Sequence, residues 1–191
     1  MRSAVSALLL CAAGVATAAP VSYTIDPTHT YPSFAADHMG GFSIWRGKFR
    51  TSSGKIVLDT EAKTGTVDIT VQVDSVDTGS EKLDVHLRAA DMLDATQFPT
   101  ATYKGKLVKF RSGKPTAVEG TFTLHGVTRP LNLTISQFHC GVSPLNKKDT
   151  CGAEASATFK RDDYGVDFGK KNLGFNMDVL LSIQVEATKD P

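Results

Sequence analysis

An all-β chain closed into an antiparallel barrel is the architecture this sequence predicts, and three observations carry it. Long runs alternate apolar and polar residues with a period of two, glycine-bearing turns separate many of them, and no repeat, linker or low-complexity segment divides the chain. In residues 176–188, Met177, Val179, Leu181, Ile183, Val185 and Ala187 share one parity, the pattern of a long strand dry on one face and wet on the other. Residues 66–74 repeat it, with Val67, Ile69, Val71 and Val73 between Thr66, Asp68, Thr70, Gln72 and Asp74. A barrel of long strands encloses an elongated apolar interior, either filled by its own side chains or open to an apolar ligand.

The elements follow in chain order. Residues 1–18 are read as a secretory signal peptide: Arg2, a small and apolar run from Ala4 to Val15, then the small-x-small site Ala16-Thr17-Ala18. A cut after Ala19 would place Pro20 directly behind it, so the cut is expected after Ala18 and the mature domain spans 19–191. Cys11 is not read as a lipoprotein anchor, because Leu10 before it is large. Strands are expected at about 21–26, 33–39, 42–51, 54–60, 65–74, 100–110, 116–125, 128–138, 153–160 and 176–188. Lys63-Thr64-Gly65, Ser112-Gly113-Lys114 and His125-Gly126-Val127 read as tight connections, which makes the sheet a meander. Thr78 and Glu81 have capping-box spacing, and Leu83 with Leu87 then share one face of a short helix towards Ala90, across a barrel end. The stretch Arg161-Asp162-Asp163-Tyr164-Gly165-Val166 is dense in turn formers.

A length of 191 residues with 41% hydrophobic content fits one domain. Arg2 is the only charge in 1–18, so 20 acidic residues are balanced by as many basic ones in the rest, which gives no support to a nucleic-acid partner. No second apolar stretch approaches the ~18 residues of a transmembrane segment. Cys140 and Cys151 remain after export into an oxidising compartment and are expected to pair as a disulfide.

Enzyme signatures are missing from the chain: no nucleophile elbow, zincin helix, phosphate loop or dinucleotide fingerprint occurs, so no cofactor is implied. The histidines 29, 38, 86, 125 and 139 include no i, i+2 or i, i+4 pair that would seed a metal site. His38 shares a strand parity with Phe34 and Ala36 and points inward, as a hydrogen-bonded core group or a contact for a ligand head. In Trp45-Arg46-Gly47-Lys48-Phe49-Arg50 the parity places the basic residues opposite Trp45 and Phe49, on a solvated outer face. Asn132-Leu133-Thr134 matches a glycosylation acceptor, but Leu131, Leu133 and Ile135 read as strand interior.

Several segments, in order, resemble the YceI-like family of periplasmic lipid- and polyisoprenoid-binding barrels. They are Tyr23-Thr24-Ile25-Asp26 with His29, Phe34 and His38-Met39-Gly40; Ser75-Val76-Asp77-Thr78; His86-Leu87-Arg88 with Asp91; Phe98-Pro99; Phe122-Thr123-Leu124-His125-Gly126-Val127-Thr128; and the Arg161–Val166 run. The resemblance implies an eight-stranded antiparallel, lipocalin-like barrel with a short helix near one end, holding a long isoprenoid or fatty-acyl chain. Met92-Leu93 departs from the family's tendency to an aromatic after Asp91, and the Cys140 to Cys151 excursion reads as an addition.

The expectation is therefore a non-enzymatic periplasmic carrier, with a homodimer left open. The lipid contacts expected are Phe34, Ala36, His38 and Phe42 on the first long hairpin, with Trp45 and Phe49. Leu83 and Leu87 on the helix, then Phe98, Phe122 and Met177, complete them. Two rivals stand beside it: a hydrolase or isomerase acting through His29, His38 and Asp26, and a filled barrel that binds a partner protein at a sheet edge.

Overall fold

The computed structural model describes residues 19–191, so the signal-peptide reading of 1–18 lies outside the described residues. In chain order the strands are β1 (Val21–Ile25), β2 (Tyr31–His38), β3 (Ser43–Phe49), β4 (Ser52–Asp59), β5 (Thr64–Gln72) and β6 (Val76–Asp77). The helix α1 (Glu81–Arg88) comes next, followed by β7 (Thr100–Val108), β8 (Ala117–Leu124), β9 (Val127–Pro130), β10 (Leu133–Val142), β11 (Asp149–Lys160) and β12 (Asp178–Lys189).

All strand pairings are antiparallel, and the twelve strands merge into eight continuous runs. β1 and β2 lie end to end along β12, from Tyr23↔Lys189 to Ile25↔Ala187 and on from Gln184↔Tyr31 to Val179↔Ala36. β4 and β3 line up against them, β5 and β6 against those, and β9 and β10 both pair with β8. The order around the sheet follows the chain, and the β1–β12 ladder closes it into an eight-stranded meander barrel.

Each interruption has a local cause. Pro27 lacks an N–H, and the Asp26 carboxylate accepts from the Thr28 N–H (2.8 Å) and hydroxyl (2.6 Å), a turn that lifts 26–30 out of the ladder. Beyond Gln72, Val73–Ser75 form a 3₁₀ turn in which the Ser75 hydroxyl donates to the Gln72 carbonyl at 2.6 Å. The expected single strand over 128–138 breaks at Leu131-Asn132, just after Pro130. The strand drawn at 153–160 begins instead at Asp149, because β10 and β11 continue their ladder to Val142↔Asp149. Cys140 and Cys151 are direct partners in that ladder, Cα atoms 4.0 Å apart, and the disulfide staples the hairpin. The turn placed at Lys63-Thr64-Gly65 falls earlier, with Thr64 and Gly65 already in β5.

The capping box does not form. Ser80 is the N-cap, so Glu81 is the first helical residue and cannot reach back. Asp84, one turn in and 6% exposed, supplies the anchor instead: its Oδ1 accepts from the Thr78 N–H at 2.8 Å and the Thr78 hydroxyl at 2.7 Å. Tyr164, under the helix end of the barrel, stacks edge-on against Phe122 and Phe159, with centroids 5.5 and 5.3 Å away.

Candidate functional site

Inside the barrel lies a cavity of about 500 Å³, within the size range of small-molecule sites. Alternation builds its wall: Val67, Ile69 and Val71 of β5 and Val179, Leu181, Ile183, Val185 and Ala187 of β12 all face it. The outer parity is polar, as where Lys104 on β7 bonds Asp68 on β5 at 2.9 Å. Tyr103 crosses the apolar middle, donating its hydroxyl to the Leu131 carbonyl at 2.9 Å, and burial pushes its pKa up to about 12. The interior is thus partly hollow, where the partner-binding rival expects a barrel filled by its own side chains; β10 meets β8 only at Leu133 and Thr134, so its stretch 136–142 has β11 alone beside it.

One end is covered. Leu83, His86 and Leu87 of α1 face the cavity there, with Met92 and Leu93 behind the helix and Phe168, Leu173 and Phe175 from the loop before β12. The histidine, aspartate and arginine side chains of the lining gather at this same end. His38 lies on Trp45 (centroids 5.0 Å apart) and near Phe175 (6.3 Å), its Nδ1 3.3 Å from the Ser43 hydroxyl. His86 meets the Phe168 ring edge-on at 4.8 Å. Asp37 accepts from the Gly41 N–H at 2.7 Å and the Asn176 N–H at 2.8 Å. Arg161, 8% exposed, donates to the carbonyls of Val166 (2.8 Å) and Phe168 (2.7 Å).

Of the residues expected from the sequence, Phe34, Ala36, His38, Trp45, Phe49, Leu83, Leu87 and Phe122 line the cavity. Three do not. Phe42 is 91% exposed, because Met39, Gly40 and Gly41 all take left-handed φ (59°, 64° and 95°) and turn the hairpin tip outward. Phe98 precedes β7 and packs on His125, with centroids 4.3 Å apart. Met177 is buried but stands before the first residue of β12, so its parity is not that of the strand. Arg46 is exposed and Lys48 lies over the Tyr31 ring at 4.6 Å, which puts the basic stripe on the outer face. Sequence reasoning missed Phe168 and Phe175, which sit in a loop without periodicity. It also missed the inward turn of Arg161, whose only signal was its place in the Arg161–Val166 run.

The hydrolase rival loses its constellation. Asp26 and His29 pair at 2.9 Å in the β1–β2 loop, outside the cavity, whereas His38 stands at the far end of β2, roughly 20 Å along an extended strand. Among the described residues no group of three or more His, Cys, Asp or Glu is placed to hold a metal ion.

A closed antiparallel barrel around an apolar cavity, covered by a helix and a loop at one end, is the architecture of a binding protein. The chain belongs to the family of YceI-like domains, whose model matches residues 23–187. It is 30% identical over 179 residues to Protein YceI of Shigella flexneri, covering 93% of this chain and 92% of that one. A UPF0312 protein of Pseudomonas aeruginosa is 31% identical over 176 residues, covering 92% and 91%. Among solved structures, Burkholderia cenocepacia BcnA superposes with a TM-score of 0.68 at 21% identity, covering 86% of this chain and 99% of its own. A polyisoprenoid binding domain from Saccharophagus degradans gives 0.66 at 16% identity, covering 89% and 99%. These two share the fold. No helix among the described residues is long and apolar enough to cross a membrane.

Proposed function

We propose that this protein is a periplasmic, non-enzymatic carrier of a long-chain apolar lipid of the polyisoprenoid or fatty-acyl kind. The observation that carries the reading is the cavity: a channel with a mostly apolar wall from β1 to β12, whose histidine, aspartate and arginine side chains lie at one end. Burying roughly 400 Å² of hydrocarbon at about 25 cal/mol per Å² is worth on the order of 10 kcal/mol gross. Chain ordering and lost ligand freedom remove several kcal/mol, which leaves binding at micromolar or better. The polyisoprenoid binding domain with the same fold supports the ligand class, and the leader-like residues 1–18 support export.

The test is to purify the protein natively from the periplasmic fraction, extract it with organic solvent and identify what is released by mass spectrometry. A stoichiometric long-chain lipid is expected. An extract with none, together with failure of the delipidated protein to take up any long-chain prenyl or alkyl probe, would refute the carrier role.

A further inference from the structure

The least expected member of the cavity lining is Arg161. A guanidinium taken out of water costs several kcal/mol unless an anion or a full set of hydrogen bonds replaces the solvent. Here two backbone carbonyls hold it, and among the described residues no carboxylate stands within ion-pair distance.

Three acids, Asp162, Asp167 and Asp37, act on Arg161 through their fields without reaching ion-pair distance; Asp162 is itself paired with Lys170, and Asp37 accepts from the N–H groups of Gly41 and Asn176. Burial pulls the Arg161 pKa down, but an arginine remains a cation in a folded protein. The carbonyls of Val166 and Phe168 fix the plane of the fork, while its remaining donors have no hydrogen-bond partner among the described residues. The 3₁₀ turn Arg161–Tyr164, ended by left-handed Gly165 (φ 80°), brings the chain back so that both carbonyls can reach.

We infer that Arg161 is a headgroup site, so that the ligand is an amphiphile with an anionic head, a carboxylate or a phosphate, lying against the guanidinium with its chain along the barrel. A planar fork already oriented by two bonds is suited to either oxyanion. His38 and His86, at the same end, add ring nitrogens, and the one carboxylate in the lining there, Asp37, is held by the N–H groups of Gly41 and Asn176. This inference rests on the carrier reading, and it replaces a purely apolar ligand with one of defined polarity and direction.

The experiment compares ligands of one chain length. Delipidated protein is titrated calorimetrically with hexadecanoate, hexadecyl phosphate, hexadecanol and hexadecyltrimethylammonium. At least one anion should bind roughly ten-fold or more tighter than the alcohol, and the cation weakest. The carboxylate and phosphate arms distinguish a fatty acid from a phosphorylated lipid as the source of the charge. In Arg161→Gln the anion-to-alcohol ratio should fall towards one, and Arg161→Lys should restore part of it. Equal binding of all four heads would overturn the headgroup site and leave the carrier reading standing, whereas binding of none would strike the carrier reading itself. Should Arg161→Gln fail to fold, the headgroup series on the unaltered protein still decides.

Discussion

Asp26 and His29 show how a pair that resembles catalytic machinery can be a turn device. The Thr28 and His29 hydrogen bonds hold the Asp26 carboxyl down at about 2, and the bond to Asp26 raises the His29 pKa above its ordinary value. A raised histidine contributes stability that is complete below about pH 6.5 and is lost as the pH climbs through the folded value; a lowered carboxylate contributes above about pH 4 and is lost as the pH falls towards its folded value. The pair's contribution is therefore greatest between those limits. Proton NMR should give a His29 midpoint above that of a free imidazole, and Asp26→Asn should return it to the ordinary value; an unchanged midpoint would refute the pairing. At this scale the strand residues were legible, since a period of two placed Phe34, Ala36, Trp45 and Phe49 on the inner face. Phe42 and Met177 were not, because strand parity does not extend into a left-handed turn or past a strand end.

The helix shows the same division among elements. Leu83 and Leu87 at i, i+4 announced it, but the expected Thr78–Glu81 box misplaced its start, and the anchor is a carboxylate inside the helix reaching back over six residues. Such a bond leaves no mark in local spacing, because it depends on Thr78 being held next to β6. Replacing Asp84 by Ala strands the Thr78 N–H in a half-buried site, leaves its hydroxyl only the Ser80 carbonyl at 3.4 Å, and should cost about 1–3 kcal/mol. Hydrogen exchange should rise selectively over residues 81–88, where few other polar contacts fix the helix. Exchange unchanged there would mean that Leu83 and Leu87 alone hold α1 on the barrel end. The β10–β11 hairpin carries a related lesson: the cysteines were expected to pair, but their strands looked too short, since Gly141 and Gly152 dilute the β pattern that the ladder then continues through them.

For the whole molecule, closure runs through the ladder of β12 with β1 and β2, and the C-terminal end adds side-chain contacts to it. Asp190 accepts from the Ser22 hydroxyl at 2.7 Å, the Thr24 hydroxyl at 2.6 Å and the Lys55 ammonium at 2.6 Å, tying the end of β12 to β1 and β4. The Lys55 bond, then those from Thr24 and Ser22, hold its carboxyl far below the usual range, so its contribution is present above about pH 4 and fades only in strong acid. Asp190→Asn should lower the melting temperature at pH 7 more than at pH 2; an equal loss at both would remove the charge from the account. The alternation that announced a barrel is the same for a filled and a hollow one, so beyond the collective placement of the aromatics the cavity was legible through the resemblance, which also set the count of eight. Its functional meaning rests on the register of β3, and that register can be tested across the wall. Phe49 faces the cavity and packs on Phe34 with centroids 5.8 Å apart, whereas Arg46 is exposed on the opposite parity. An aspartate at 49 would set a charge against hydrocarbon and could escape only by protonation or by admitting water, both of which weaken apolar binding. An aspartate at 46 meets only solvent. With both variants folded by circular dichroism, co-purified lipid should fall severalfold or more in Phe49→Asp and stay near the parent level in Arg46→Asp. Lipid kept by the first and lost by the second would invert the wall and place the ligand outside the barrel.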